Sequence, residues 1–171
     1  IFLGIRVPVQ REIARKYTEI SMEDLQSLLN SKIHEQRFIA LVLLANKYKK
    51  SRKNPVEKMR LFQFYLKNTG RINNWDLVDV FAPAIVGDFS VHEGNEMIRH
   101  LAKSQNIWER RIAIISTFAF IKKRSFGESL AIADILIKDE NDLIHKAVGW
   151  ALREVGKKSP EVLEIFLKTR Y

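Results

Sequence analysis

Cysteine is absent from all 171 residues, which removes disulfides, thiolate nucleophiles, zinc–thiolate sites and iron–sulfur clusters together and fits a reducing cytoplasm, the expected compartment. Glycine occurs seven times and proline four. None of the glycines forms a phosphate-cradling loop or a G-x-S-x-G elbow, which argues against a P-loop nucleotidase or an α/β-hydrolase. Long hydrophobic runs are missing too. The longest, residues 112–121, is interrupted by Ser116 and Thr117 and falls short of the roughly 18 to 20 residues of a membrane span, so no membrane partner is expected. No secretory leader pattern is visible. Acids are also scarce, 20 Asp and Glu against 29 Lys and Arg, a net charge of +9. That balance favours a polyanionic partner, nucleic acid first.

What is present is helical punctuation. Ser21, Asn54 and Ser159 each stand where a side chain would cap a helix start, and Pro55 and Pro160 follow at the first helical position. The stretches 25–29, 33–48, 56–67, 75–86, 93–102, 108–122, 127–137, 143–155 and 161–168 carry apolar residues three and four apart, and no stretch sustains a period of two. The chain is therefore expected to be all-α. Its connections are only a few residues long, with Thr69-Gly70 and Gly87-Asp88 as turn signals, so neighbouring helices should pack antiparallel.

A repeat underlies the array. "HEQRFIALVLL" from His34, "WERRIAIISTF" from Trp108 and "IHKAVGWALR" from Ile144 align at spacings of about two units and one unit of roughly 37 residues, and "NNWDLVDVFAP" fills the vacant slot. Helix pairs of that length resemble HEAT and armadillo repeats, which stack into a solenoid whose equivalent helices line a concave face. A plain helical bundle is the alternative.

Enzyme motifs are few. His34-Glu35 begins an H-E-x-x-H, but Phe38 occupies the second ligand position, and His34, His92, His100 and His145 lack metal-ligand spacing. They are expected to be surface or capping residues; neither metal nor cofactor is implied. Trp75 and Asp79 stand four apart, on one helical face. Asp76 belongs to a first helical turn, where an acid meets the positive end of the dipole. Asp79 lies deeper, between Val78 and Val80, and burial there requires a cation, for which Arg110 or Arg111 is available. Spacing alone leaves Asp79 open between a catalytic carboxylate and a salt-bridged structural acid.

"NNWDLVD", "WERRIAIISTFAFIKK", "DLIHKAVGWALREVGK", "GIRVPVQREIA" and "HEQRFIALVLL" resemble, in order, the blocks of the AlkD-type DNA alkylation repair glycosylases, a HEAT-like family. The resemblance implies excision of positively charged N3- or N7-alkylated purines from double-stranded DNA by hydrolysis of the N-glycosidic bond. It places the catalytic aspartate at Asp79 and a tryptophan at Trp75. The active-site arginine falls on Arg111 and a second tryptophan on Trp150. It also implies one HEAT-like domain over residues 1–171, acting as a monomer and lacking the family's first and last helices. Arg111 would bind a phosphate near the lesion or hold Asp79. Arg37, Arg110, Lys146 and Arg153 on repeat-equivalent helices, with Lys157 and Lys158 at a helix end, are the expected contacts to DNA phosphates. A non-catalytic DNA-binding or scaffold repeat protein is the alternative.

Overall fold

A computed structural model describes residues 1–170, and among them every regular element is helical. The α-helices are α1 (Val7–Lys16), α2 (Met22–Asn30), α3 (His34–Lys50), α4 (Pro55–Lys67), α5 (Trp75–Ala82) and α6 (Asp88–Glu93). They continue as α7 (Glu96–Ala102), α8 (Ile107–Ser116), α9 (Phe118–Lys122), α10 (Gly127–Leu136), α11 (Asp142–Lys158) and α12 (Pro160–Lys168). Two compact units divide within α5: the first takes in Ile1–Leu77, the second the described residues from Val78 on.

In the first unit α1 and α2 both pack on α3, which continues onto α4. Leu25, Leu29, Phe38, Leu41, Leu44 and Tyr65 are buried there. Ser21 and Asn54 cap as expected, accepting from the amides of Asp24 and Glu57 at 3.0 and 3.1 Å. The residues before α1 are tied to the start of α3. The Glu35 carboxylate accepts the Leu3 and Gly4 amides at 2.9 Å each, and Gly4 has a φ of +76° that favours glycine. Burial alone would raise the Glu35 carboxyl, but these amides outweigh it and hold the group below the usual carboxylate range. Phe2 stacks on the His34 ring, their centroids 4.4 Å apart.

In the second unit α8 packs against α7 and α11, while α11 packs against α10 and α12. Such pairs, joined by short turns, are the stacking expected of HEAT-like repeats. Asn106 and Asn141 cap α8 and α11 by accepting from Trp108 and Leu143 amides at 3.0 Å; neither asparagine stood out in the sequence.

Three local expectations require correction. Ser159 precedes α12, yet its side chain makes no cap hydrogen bond. Gly87-Asp88 is no turn: Pro83–Gly87 forms a π-helical stretch running directly into α6. A Cβ on Gly87 would lie 2.3 Å from the Ser116 carbonyl oxygen, so glycine serves close packing there. The stretch 108–122 breaks at Thr117, whose buried hydroxyl bonds back to the Ile114 carbonyl at 2.7 Å.

Candidate active site

α5 begins with Trp75 and Asp76 in its first turn, and Asp79 follows one turn after Trp75. Leu77, Val78, Phe81 and Ala82 are buried, whereas Trp75 is 57% exposed. An indole this exposed is no core tryptophan.

Asp79 is held by Arg111 of α8. Nε donates to Oδ1 at 2.9 Å and Nη2 donates to Oδ2 at 2.7 Å, while Nη1 donates to the Leu143 carbonyl at 2.5 Å. The two side chains are 13% and 7% exposed. Of the two cations considered as partners for Asp79, Arg111 is therefore the one the fold supplies. Its donors face inward, so between binding a phosphate and holding Asp79, the geometry supports holding. Because Leu143 lies in the first turn of α11, the same guanidinium also anchors the helix that carries Trp150. Trp150 is 36% exposed and meets Phe118 edge to face at 4.6 Å.

The expected DNA contacts divide into two groups. Lys146, Arg153, Lys157 and Lys158 are exposed; Lys146 reaches Asp142 at 2.6 Å and Lys157 reaches Glu154 at 2.7 Å, surface pairs that leave the cations hydrated. Arg153 stands 4.0 Å from Glu154. Arg110, by contrast, is engaged inside the protein: Nε and Nη2 donate to Asp139 at 2.6 and 3.3 Å, and Nη1 to the Ser104 and Gln105 carbonyls. Arg37 donates through Nη1 to the Ser31 carbonyl at 2.9 Å and is half-buried.

Sequence reasoning missed His34. Far from being a surface or capping residue, it is 4% exposed and its Nε2 lies 2.7 Å from Asp76 Oδ2. The contact joins the start of α3 to the first turn of α5, so Asp76 is both a first-turn acid and a tertiary tether. The signal was its place at the head of a repeat helix, mirroring the tryptophan of "WERR". Among the described residues no group of three or more His, Asp or Glu could hold a metal ion, and no helix is long and apolar enough to cross a membrane.

The fold is shared with solved structures. A protein from Enterococcus faecalis described as a predicted DNA alkylation repair enzyme matches with a TM-score of 0.72 at 19% identity, over 99% of this chain and 81% of its own. AlkD2 from Streptococcus mutans matches with a TM-score of 0.68 at 23% identity, over 97% and 82%. Among curated proteins, none matches. The model of the family described as DNA alkylation repair enzyme matches residues 1–171, and with the all-helical repeat and the α5 and α8 blocks in place the chain belongs to that DNA alkylation repair family.

Proposed function

We propose that the protein is a DNA glycosylase that releases N3- and N7-alkylated purines from double-stranded DNA. The observation that carries this is Asp79, a carboxylate gripped by the Nε–Nη2 edge of Arg111 and carried on the same helix that exposes Trp75 one turn earlier. An alkylated purine carries positive charge and leaves readily. The C1′–N bond breaks with its electron pair passing to the base, which becomes neutral, and the sugar is left as an oxocarbenium-like cation.

Asp79 stabilises that cation electrostatically and orients a water. The water oxygen bonds to C1′, and its proton passes through the carboxylate to solvent. Arg111 fixes the direction of the carboxylate before reaction, so no reorganisation is needed as charge develops. The exposed indoles of Trp75 and Trp150 offer π faces to sugar and cationic base. No flipping into a deep pocket is required. Lys146, Arg153, Lys157 and Lys158 supply phosphate contacts in this scheme.

The test is incubation of methylated duplex DNA with the protein and chromatography of the supernatant. Free 3- or 7-methylpurine, lost with Asp79→Asn, is expected. Tight duplex binding without release would instead favour the non-catalytic DNA-binding alternative.

A further inference from the structure

One side chain ties the end of α9 to the end of α11. α9 closes with the two hydrogen bonds of a Schellman cap, Ser125 N–H to the Phe120 carbonyl and Arg124 N–H to the Ile121 carbonyl, each at 3.0 Å. The residue in the left-handed position of that cap is Arg124, with a φ of +57°. Among the described residues it is the only one besides glycine with a positive φ. Glycine is the usual occupant there, because a Cβ is strained in that conformation. A side chain stands there despite the strain, and its contact is visible: Nη2 donates to the carbonyl of Lys158, the last residue of α11, at 3.1 Å.

The bond joins two cationic tails. Lys122 ends α9, with Lys123 and Arg124 directly after it, and Lys157 and Lys158 end α11; all of them are exposed. Lys123 Nζ also reaches the His92 ring at 3.3 Å. The acid in contact with these tails is Glu154, which accepts from Lys157 at 2.7 Å and stands 4.0 Å from Arg153. Lys122, Lys123, Arg124 and Lys158 make no ion pair among the described residues. Cations at a helix C-terminus complement the dipole, which accounts for the charge of each tail taken alone. It does not account for a strained arginine that fastens the two tails together, since like charges brought close repel. A polyanion that brings several charges at once relieves that repulsion.

We infer that Lys122, Lys123, Arg124, Lys157 and Lys158 form one anchor for successive backbone phosphates of duplex DNA, and that Arg124 assembles it. Lys157 lies two turns beyond Trp150 on the same face of α11, so the anchor holds the strand on the side of the helix that exposes the indole. The inference rests on the proposed action on DNA. It adds the three cations at the end of α9, which the phosphate contacts of that scheme do not include.

The experiment uses the strained position. Arg124→Gly relieves the backbone and removes the guanidinium, so the variant should melt within about 3 °C of wild type. Its affinity for undamaged duplex, read by fluorescence anisotropy across a salt series, should fall about tenfold. The plot of log affinity against log salt should flatten by about one phosphate's worth. Lys122→Gln should flatten the slope by a similar amount without moving the melting temperature, because its side chain is exposed and makes no ion pair. In the Arg124→Gly background the same lysine substitution should weaken binding less than it does in wild type, since the tails are no longer fastened. Losses that multiply would overturn Arg124 as the residue that assembles the anchor. Folded Arg124→Gly and Lys122→Gln proteins with wild-type affinity and slope overturn the whole inference, and so does a large fall in the Arg124→Gly melting temperature with the slope intact. If inorganic phosphate raises the melting temperature of wild type but not of Arg124→Gly, while duplex affinity is equal in both, the site is for free phosphate and the DNA anchor is overturned. Base release from methylated duplex separates the two claims. Release with unaffected affinity in both variants sinks only the anchor; weakened variants of a protein that releases no base sink only the glycosylase; a wild type that binds no duplex sinks both.

Discussion

Arg111 presents its whole donor edge to Asp79, at 2.9 and 2.7 Å, and its remaining donor to the Leu143 carbonyl at 2.5 Å. The carboxylate is thus fixed in position, and its partner is turned inward. The carboxylate proposed for catalysis is also half of a buried ion pair, so the melting temperature alone does not tell the roles apart.

Asp79→Asn keeps the shape, and its amide oxygen can still accept one bond from Arg111. A stability loss of about 1–3 kcal/mol is expected from the weakened buried pair. Release of alkylated base in a single turnover, measured well below the melting transition, should fall by about 10²–10³-fold, the scale of a lost electrostatic stabiliser. Near-normal release from the folded variant would remove Asp79 from the chemistry.

Arg111→Lys and Arg153→Gln should fail in opposite ways. Lysine cannot supply a fork and a third donor together, so Arg111→Lys should misdirect Asp79 and slow release while leaving the salt dependence of duplex binding unchanged. Arg153 is exposed and only loosely paired. Arg153→Gln should flatten the salt slope by about one phosphate and leave stability within about 0.5 kcal/mol. A flattened slope for Arg111→Lys would return Arg111 to phosphate binding.

The helices were legible because their signals are local. Ser21 and Asn54 cap where expected, and periodicity located α3, α4, α10 and α11 within a few residues. α1 was not placed by periodicity, since its buried side is only Gln10 and Ala14. The Asp79–Arg111 pair could be anticipated because the arginine opens the equivalent helix of the next repeat. Which arginine is engaged internally was not legible. Arg110 meets Asp139, 29 residues away, whereas Arg37 donates to the Ser31 carbonyl only six residues upstream. His34 was misjudged for the same reason: its partner Asp76 lies 42 residues on.

Arg110 and Asp139 should behave as a stability pair, not as a DNA contact. Burial raises the Asp139 carboxyl, but the Arg110 hydrogen bond, the Asn141 amide and the charges of Arg110 and His145 outweigh it, leaving the group below its ordinary value. A depressed folded pKa contributes stability above the unfolded value near 4, lost as pH falls through the folded one. Urea melts from pH 6 to 3 should therefore show wild type losing stability faster than Asp139→Asn below about pH 4, with the gap between them closing. A constant gap would mean that Asp139 is not ionised against Arg110. Arg110→Gln should cost about 1–3 kcal/mol at neutral pH and leave the salt slope of DNA binding intact.

Gly87→Ala gives two physical effects opposite signs. Gly87 has helical backbone angles, φ −63° and ψ −48°, so alanine should stabilise by about 0.5–1 kcal/mol on propensity and chain entropy alone. The added Cβ, however, would lie 2.3 Å from the Ser116 carbonyl oxygen and 2.8 Å from the Ala119 Cβ, and a backbone carbonyl cannot swing aside as a flexible side chain can. Overpacking of this kind costs about 1–3 kcal/mol, and at the low end the two terms nearly cancel; contact with fixed backbone puts this case at the high end. A net loss of about 2 kcal/mol is expected, lowering the melting temperature by roughly 4–8 °C for a chain of this length. The strain should also reach the site. Pro83–Gly87 continues directly from α5, which carries Asp79, and Ser116 ends α8, which carries Arg111. Separating the two elements at Gly87 should loosen the Asp79–Arg111 grip and slow base release in protein that is still folded. A higher melting temperature for Gly87→Ala would show that the segment relaxes freely, and that close packing at Gly87 does not set the distance between the helices of the acid and the arginine.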